Sequence, residues 1–308
     1  MKAVVFCSHQ VALFLLQSMA QAGQLAGVVL PSSSFPNKEV VQRFLERFQV
    51  PIMELSEEGM ELELLPWLRD RAPELLVANT FPYRLPAAVL DFAPHGAWNF
   101  HAGTLPQYRG PLPLFWQMVQ GESHAAMSLH RMELGFDAGP IFEVRDCNIA
   151  PQDTHATLLS KVSALAPEMF QALVAALQQG PLELCEQDPS QAKYYPRASQ
   201  KDLIVDWQTM EGRKLERLIR AANSLSQGGI TSFRGLPLRL AEAECLPLQS
   251  RPQQPAGTIV DVPNDPGLYI LCTDSSCLKV TVVYSNDVLC SGERFRSLYE
   301  AQPGERFL

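Results

Sequence analysis

Two rhythms of apolar positions alternate along the first half of the chain. Lys2 to Cys7, Leu25 to Leu30, Pro51 to Leu55 and Leu75 to Asn79 are short and almost continuously apolar, as strands buried on both faces are. Between them, Val11 to Ala22, Lys38 to Phe48 and Met60 to Arg71 read as helices. Val41, Phe44, Leu45 and Phe48 form one helical stripe, and Pro66 complicates the third helix. The pattern continues with a strand at Ala97 to Phe100, a helix at Pro113 to Val119, and strands at Met127 to Met132 and Ile141 to Ala150. A long helix follows, capped by Thr154, running to about Gln179 and kinked at Pro167; it places Leu158, Leu159, Val162, Leu165, Met169, Leu173 and Leu177 on one face. Such alternation predicts an α/β fold with a mostly parallel sheet and flanking helices.

Beyond Gly180-Pro181 the rhythm fades. Residues 182–200 are polar and aperiodic and read as a linker, followed by a helix from Asp206 to Asn223 with Leu215, Leu218 and Ile219 as its apolar face. From Gly229 onward, short strand-like runs alternate with Gly and Pro turns, as in a small β-barrel. Three stretches are therefore expected: a domain over 1–181, a linker and connecting helix over 182–228, and a C-terminal barrel over 229–308.

Bulk properties narrow the classes. At 308 residues, with 46% hydrophobic and 19% charged residues, the chain can bury a large core in two domains. A formal net charge of −8 gives no overall pull toward nucleic acid. The seven cysteines are scattered, with no Cys-x-x-Cys pair, which suggests reduced thiols and no zinc. No apolar run reaches the length of a membrane helix or a signal-peptide core, so a cytoplasmic protein is expected. The first strand runs into Cys7-Ser8-His9-Gln10 rather than Gly-x-Gly-x-x-Gly, which disfavours a dinucleotide site and a nicotinamide oxidoreductase.

The candidate chemistry lies in His95 to Gly110. Asn99 and His101 are two apart on a strand, so they share a face. Further on, Asp137 stands in Gly135-Phe136-Asp137-Ala138-Gly139-Pro140. An amide donor for an oxyanion, an imidazole to move a proton and a carboxylate to orient it suit attack on a carbonyl-like carbon. No Ser or Cys stands beside the histidine, which favours direct transfer over a covalent intermediate. His130, near the site, reads as a structural histidine.

The run Asn99-Phe100-His101-Ala102-Gly103-Thr104-Leu105-Pro106-Gln107-Tyr108-Arg109-Gly110, followed by Asp137-Ala138-Gly139-Pro140-Ile141, resembles the 10-formyltetrahydrofolate-dependent formyltransferases. The resemblance implies a Rossmann-like catalytic domain, an OB-like C-terminal barrel and Asn99, His101 and Asp137 as the catalytic triad. It also implies 10-formyltetrahydrofolate as co-substrate, with no metal. Tyr83, Arg84 and Leu85 would belong to the loop that holds the pterin, and Glu133, Leu134, Gly135 and Phe136 to the segment closing the other side. Tyr108, Arg109, Tyr194 and Arg197 would line the acceptor side, with Tyr195 close by.

The acceptor is less determined. The loop Pro31 to Lys38 is short and has one lysine, where methionyl-tRNA formyltransferases carry a glycine- and lysine-rich loop; those relatives also favour Trp at Tyr108. Tyr108 to Leu114 and Leu129 to Met132 look closer to the amino-sugar formyltransferases. A small-molecule amine, most simply a nucleotide-linked amino sugar, is therefore the expected acceptor. Aminoacyl-tRNA and other amines, such as a peptide or siderophore precursor, are the alternatives.

Overall fold

The computed structural model describes residues 1–60, 62–248, 253–285 and 288–308. They fall into two compact units. The first comprises residues 1–113, 124–148 and 159–195, and the second residues 114–123, 149–158 and 196–308.

The predicted rhythm gives β1 (Ala3–Cys7), α1 (Leu13–Gln21), β2 (Leu25–Pro31), α2 (Lys38–Arg47), β3 (Ile52–Leu55), α3 (Leu64–Arg71), β4 (Leu75–Asn79), α4 (Ala87–Leu90), β5 (Ala97–His101), α5 (Pro113–Gln120), β6 (His124–Arg131) and β7 (Ile141–Asn148). The seven strands form one sheet in the order β3-β2-β1-β4-β5-β6-β7. β3 to β5 pair in parallel, while β6 and β7 run antiparallel at one edge. Val4, Phe6, Val29, Leu55, Leu64, Leu68 and Leu76 pack into one core cluster. Each such buried side chain contributes roughly 1.5–3 kcal/mol. α1 packs along α7 (Ala166–Gln179), which follows α6 (His155–Ser163).

The helix expected from Asp206 begins only at Gly212. Two others differ from expectation, both at prolines. The third starts at Leu64, so Pro66 sits in its first turn, where a missing N–H leaves no bond unmade. The long helix expected from Thr154 is two helices, with Pro167 as the second residue of α7 rather than a kink within one. Thr154 does cap α6: its hydroxyl accepts from the Thr157 N–H at 3.3 Å.

The second unit holds α8 (Gly212–Ser226), β8 (Gly229–Phe233), β9 (Leu236–Pro247), β10 (Ile259–Val262), β11 (Asp265–Leu271), β12 (Ser276–Ser285), β13 (Val288–Ser291) and α9 (Gly292–Leu298). Its sheet is antiparallel in the order β10-β11-β12-β9-β8, with β13 also on β12. Phe307 bridges to Phe233 in β8, and Arg306 bridges to Thr258 just before β10, so consecutive C-terminal residues pair at both ends of the sheet. Trp207, Leu215, Ile219, Phe233, Phe295 and Phe307 share its core. β13 and α9 were not anticipated.

The stretch expected as linker is divided between the units. Its first part, to Tyr195, packs with the first sheet: Cys185 bridges Ile141, and Tyr194 bridges Arg109. All seven cysteines are free, and among the described residues no group of His, Cys, Asp and Glu could hold a metal.

Candidate active site

β5 and β6 lie side by side with Asn99 opposite His130 and His101 opposite Ser128. Directly opposed residues share a face, so four polar side chains form a square on one face of the sheet. Phe100 and Leu129, the intervening residues, point to the other face and are buried. Ser128 closes the turn after β5: its hydroxyl donates to the Gly103 carbonyl at 2.7 Å and accepts from the Leu105 N–H at 3.2 Å.

The loop after β6 brings Asp137 onto this square. One carboxylate oxygen, Oδ1, lies 3.3 Å from Asn99 Nδ2, 3.4 Å from His101 Nδ1 and 3.7 Å from His130 Nε2. The other accepts the Gly110 N–H at 2.9 Å. Asp137 has φ +52°, a left-handed backbone that a residue with a Cβ adopts at a cost. Gly110 has φ +111°, and a Cβ there would run into the Tyr195 carbonyl oxygen.

The partners fix the protons. His101 Nε2 is 2.7 Å from the Tyr108 carbonyl, which only accepts, so the ring donates there and Nδ1 is the nitrogen free to exchange a proton with the Asp137 side. His130 donates through Nδ1 to its neighbour's carbonyl, at Arg131, 2.9 Å away. Its Nε2 therefore accepts from Asn99 Nδ2 at 3.1 Å. The Asn99 amide thus gives one hydrogen to His130 and directs the other at Asp137.

The electrostatics follow. Burial works against charge on His101. The Asp137 carboxylate, by charge and hydrogen bonding, with the Tyr108 carbonyl, outweighs it and raises the imidazole pKa above its ordinary value. Burial would likewise raise Asp137. The His101 charge and hydrogen bond, with the Gly110 N–H, instead hold its carboxyl far below the usual range.

The other expected residues are placed as follows. Leu85 is buried in the core, and Tyr83 is half-buried with its ring edge-on to Phe81 at 5.3 Å. The Arg84 guanidinium lies over the Phe136 ring at 4.5 Å, which joins the two expected pterin loops. Glu133, Leu134, Gly135 and Phe136 are exposed. Tyr108 differs from a substrate contact: its ring is buried and stacked on Tyr195, with centroids 5.2 Å apart. Arg109 also differs, because its guanidinium is taken by Gln187. Tyr194 and Arg197 are exposed, Tyr194 in the first unit and Arg197 in the second. His130, expected as a structural histidine, is the hydrogen-bond partner of Asn99. Gln187, which the sequence reading does not single out, lies in an aperiodic segment with no pattern to mark it.

A donor amide and a proton-exchanging imidazole, each within 3.4 Å of one carboxylate oxygen where the parallel and antiparallel strands of an α/β sheet meet, suit acyl transfer. Comparison with known proteins names the class more closely. Residues 1–176 match the family described as formyl transferase, and the chain belongs to that family. It is a formyltransferase. A methionyl-tRNA formyltransferase of Dictyoglomus turgidum is 28% identical over 258 residues, covering 84% of this chain and 82% of that protein. HypX from Aquifex aeolicus, solved with tetrahydrofolic acid, superposes with a TM-score of 0.65 at 16% identity over 99% of this chain. The chain spans about half the length of HypX, 48%. The Helicobacter canadensis N-formyltransferase, solved with folinic acid and dTDP-3-aminofucose, superposes with a TM-score of 0.66 at 14% identity, covering 92% of this chain and 99% of that one. At these identities the two solved structures show a shared fold.

Proposed function

We propose that this enzyme moves the formyl group of 10-formyltetrahydrofolate to the amine of a small acceptor, a nucleotide-linked amino sugar, with Asn99, His101 and Asp137 as the catalytic residues. The observation that carries the reading is the convergence of Asn99 Nδ2 and His101 Nδ1 on one oxygen of Asp137, at 3.3 and 3.4 Å. The amine attacks the formyl carbon, and the Asn99 hydrogen now shared with Asp137 is the one available to the oxyanion. His130 keeps the other hydrogen and so holds the amide in that orientation. His101 takes the amine's proton at Nδ1. When the bond to the folate nitrogen breaks, the same atom returns a proton to that nitrogen. Asp137 stabilises the imidazolium between the two transfers.

The residues fit a folate. Arg84 and Phe136 join the two loops beside the cluster, and exposed Leu134 and Phe136 offer apolar surface to a flat ring. Tyr83, Arg84 and Leu85 serve mainly through their backbone, and Glu133 to Phe136 form the opposite wall. Support for the donor also comes from the folates bound by HypX and the Helicobacter enzyme. The latter's dTDP-sugar supports the acceptor, as does a net charge of −8, which opposes a polyanion. Exposed Tyr194 is the acceptor-side candidate. Residues 1–181 are assigned as the catalytic domain, with a connecting stretch over 182–228. Residues 229–308 are assigned as an OB-like barrel; the pairing of Arg306 and Phe307 at both ends of the sheet supports closure.

A second reading, formylation of methionyl-tRNA, has the Dictyoglomus relative in its favour. Incubation with 10-formyltetrahydrofolate and either nucleotide amino sugars or charged initiator tRNA separates the two. Formyl transfer to an amino sugar is expected; efficient formylation of the tRNA alone would replace the acceptor proposed.

A further inference from the structure

One buried amide beyond the family-matched residues grips the loop that carries Asp137. Gln187 is 8% exposed. Its Nε2 donates to the carbonyl of Asp137 at 2.9 Å and to that of Gly139 at 2.7 Å. Its Oε1 accepts from Arg109 Nε at 3.1 Å and Nη2 at 2.7 Å. Both donors and both lone pairs of the carboxamide are therefore used. A backbone at φ +52° persists only where its surroundings hold it, and the Asp137 carbonyl is a lever on that conformation. Arg109 immediately precedes Gly110, whose N–H holds the Asp137 carboxylate. The same turn thus reaches Asp137 twice, through Gly110 directly and through Arg109 and Gln187.

We propose that Gln187 is the positioning residue of the Asp137 carboxylate, with Arg109 as its anchor. The inference rests on Asp137 being a catalytic group. It gives Arg109 a supporting role instead of the acceptor contact expected from the sequence. A neutral amide suits the place because it faces two carbonyls and a guanidinium at once; a carboxylate would repel the carbonyls, and an ammonium would repel the arginine. The titratable groups facing His101 are Asp137 and His130, so displacement of Asp137 is read directly in the His101 ring.

Gln187→Met keeps the volume and removes every polar contact. A fall in kcat of roughly tenfold or more is expected, with KM for the folate within about twofold. The His101 titration, followed by NMR, is expected to move to lower pH while the thermal transition stays cooperative. A folded variant with wild-type kcat and an unmoved His101 titration overturns the proposal, even if it melts earlier, because that pattern marks a brace alone. Gln187→Glu keeps a partner for Arg109 and loses both donors to the carbonyls. It is expected to show the same loss of kcat should the Met variant not fold, and wild-type kcat there overturns the proposal equally. Absence of formyl transfer in the wild-type enzyme would refute the reaction assigned above. The His101 titration in the folded variant would still decide the role of Gln187.

Discussion

Asn99, His101 and Asp137 are useful together because each limits what the others can do. The Tyr108 carbonyl occupies one ring nitrogen of His101, so in the proposed mechanism the other nitrogen alone serves as base and acid. His101→Ala is expected to lower kcat by ~10²–10⁴-fold, and Asn99→Ala by ~10²–10³-fold, in single-turnover assays with the folate KM little changed. In the proposed mechanism the neutral ring is the base, and Asp137 raises its pKa. The rising limb of kcat/KM against pH is therefore expected above 6.5, the ring's ordinary value. In Asp137→Asn the carboxylate's contribution is lost and the Tyr108 carbonyl alone opposes burial, so the limb moves to lower pH. The signs for stability are definite. The Asp137 contribution is present above 3.8 and lost as pH falls through its depressed folded value; the His101 contribution is present below 6.5 and lost as pH rises through its raised folded value. The melting difference between wild type and Asp137→Asn should be widest between those two pH values and narrow on the alkaline side. The nearness of Asn99 and His101 was legible in the sequence because two-residue spacing fixes a shared strand face. The spending of one Asn99 hydrogen on His130 was not, since it depends on the register of β5 against β6.

At the scale of elements, the site is a repair of the gap that an active face leaves in a sheet. β5 and β6 each give up two alternating core positions to polar residues, and the loops that follow the two strands bring in partners for them. The turn at Gly110 tolerates no side chain. Gly110→Ala is expected to cost more than about 2 kcal/mol, combining overpacking against the Tyr195 carbonyl with a left-handed φ; urea unfolding measures it. Most strands of the first sheet were readable from apolar runs within one or two residues; β6 begins three residues before the expected Met127, at His124. The prolines were misread, because the first turn of a helix has no N–H bonds to lose, and only the true start of a helix tells whether Pro66 or Pro167 lies in one. β13 and α9 were missed because Val288–Ser291 is short and a seven-residue helix has too few turns to show a stripe.

For the molecule as a whole, the alternation of apolar runs was enough to indicate an α/β sheet; the runs from Gly229 onward, expected as a small barrel, form a second, antiparallel sheet. The division at the linker was harder. Composition marks residues 182–200 as polar, yet polarity there serves Gln187 and its partners as much as solvent. Among the described residues no helix is long and apolar enough to cross a membrane. With a net charge of −8, the acceptor preference should show in ionic strength. Formylation of a nucleotide sugar is expected to change little between about 50 and 200 mM salt, whereas a tRNA acceptor would lose affinity over that range by orders of magnitude. Initial rates across a salt series provide the check.

The grip on Asp137 comes from chain lying past the family-matched residues 1–176. Grafts between relatives spliced at that boundary would import a foreign clamp onto an unaltered triad. Such hybrids should turn over slowly although every catalytic side chain is native, and moving the splice to beyond Tyr195 should restore them.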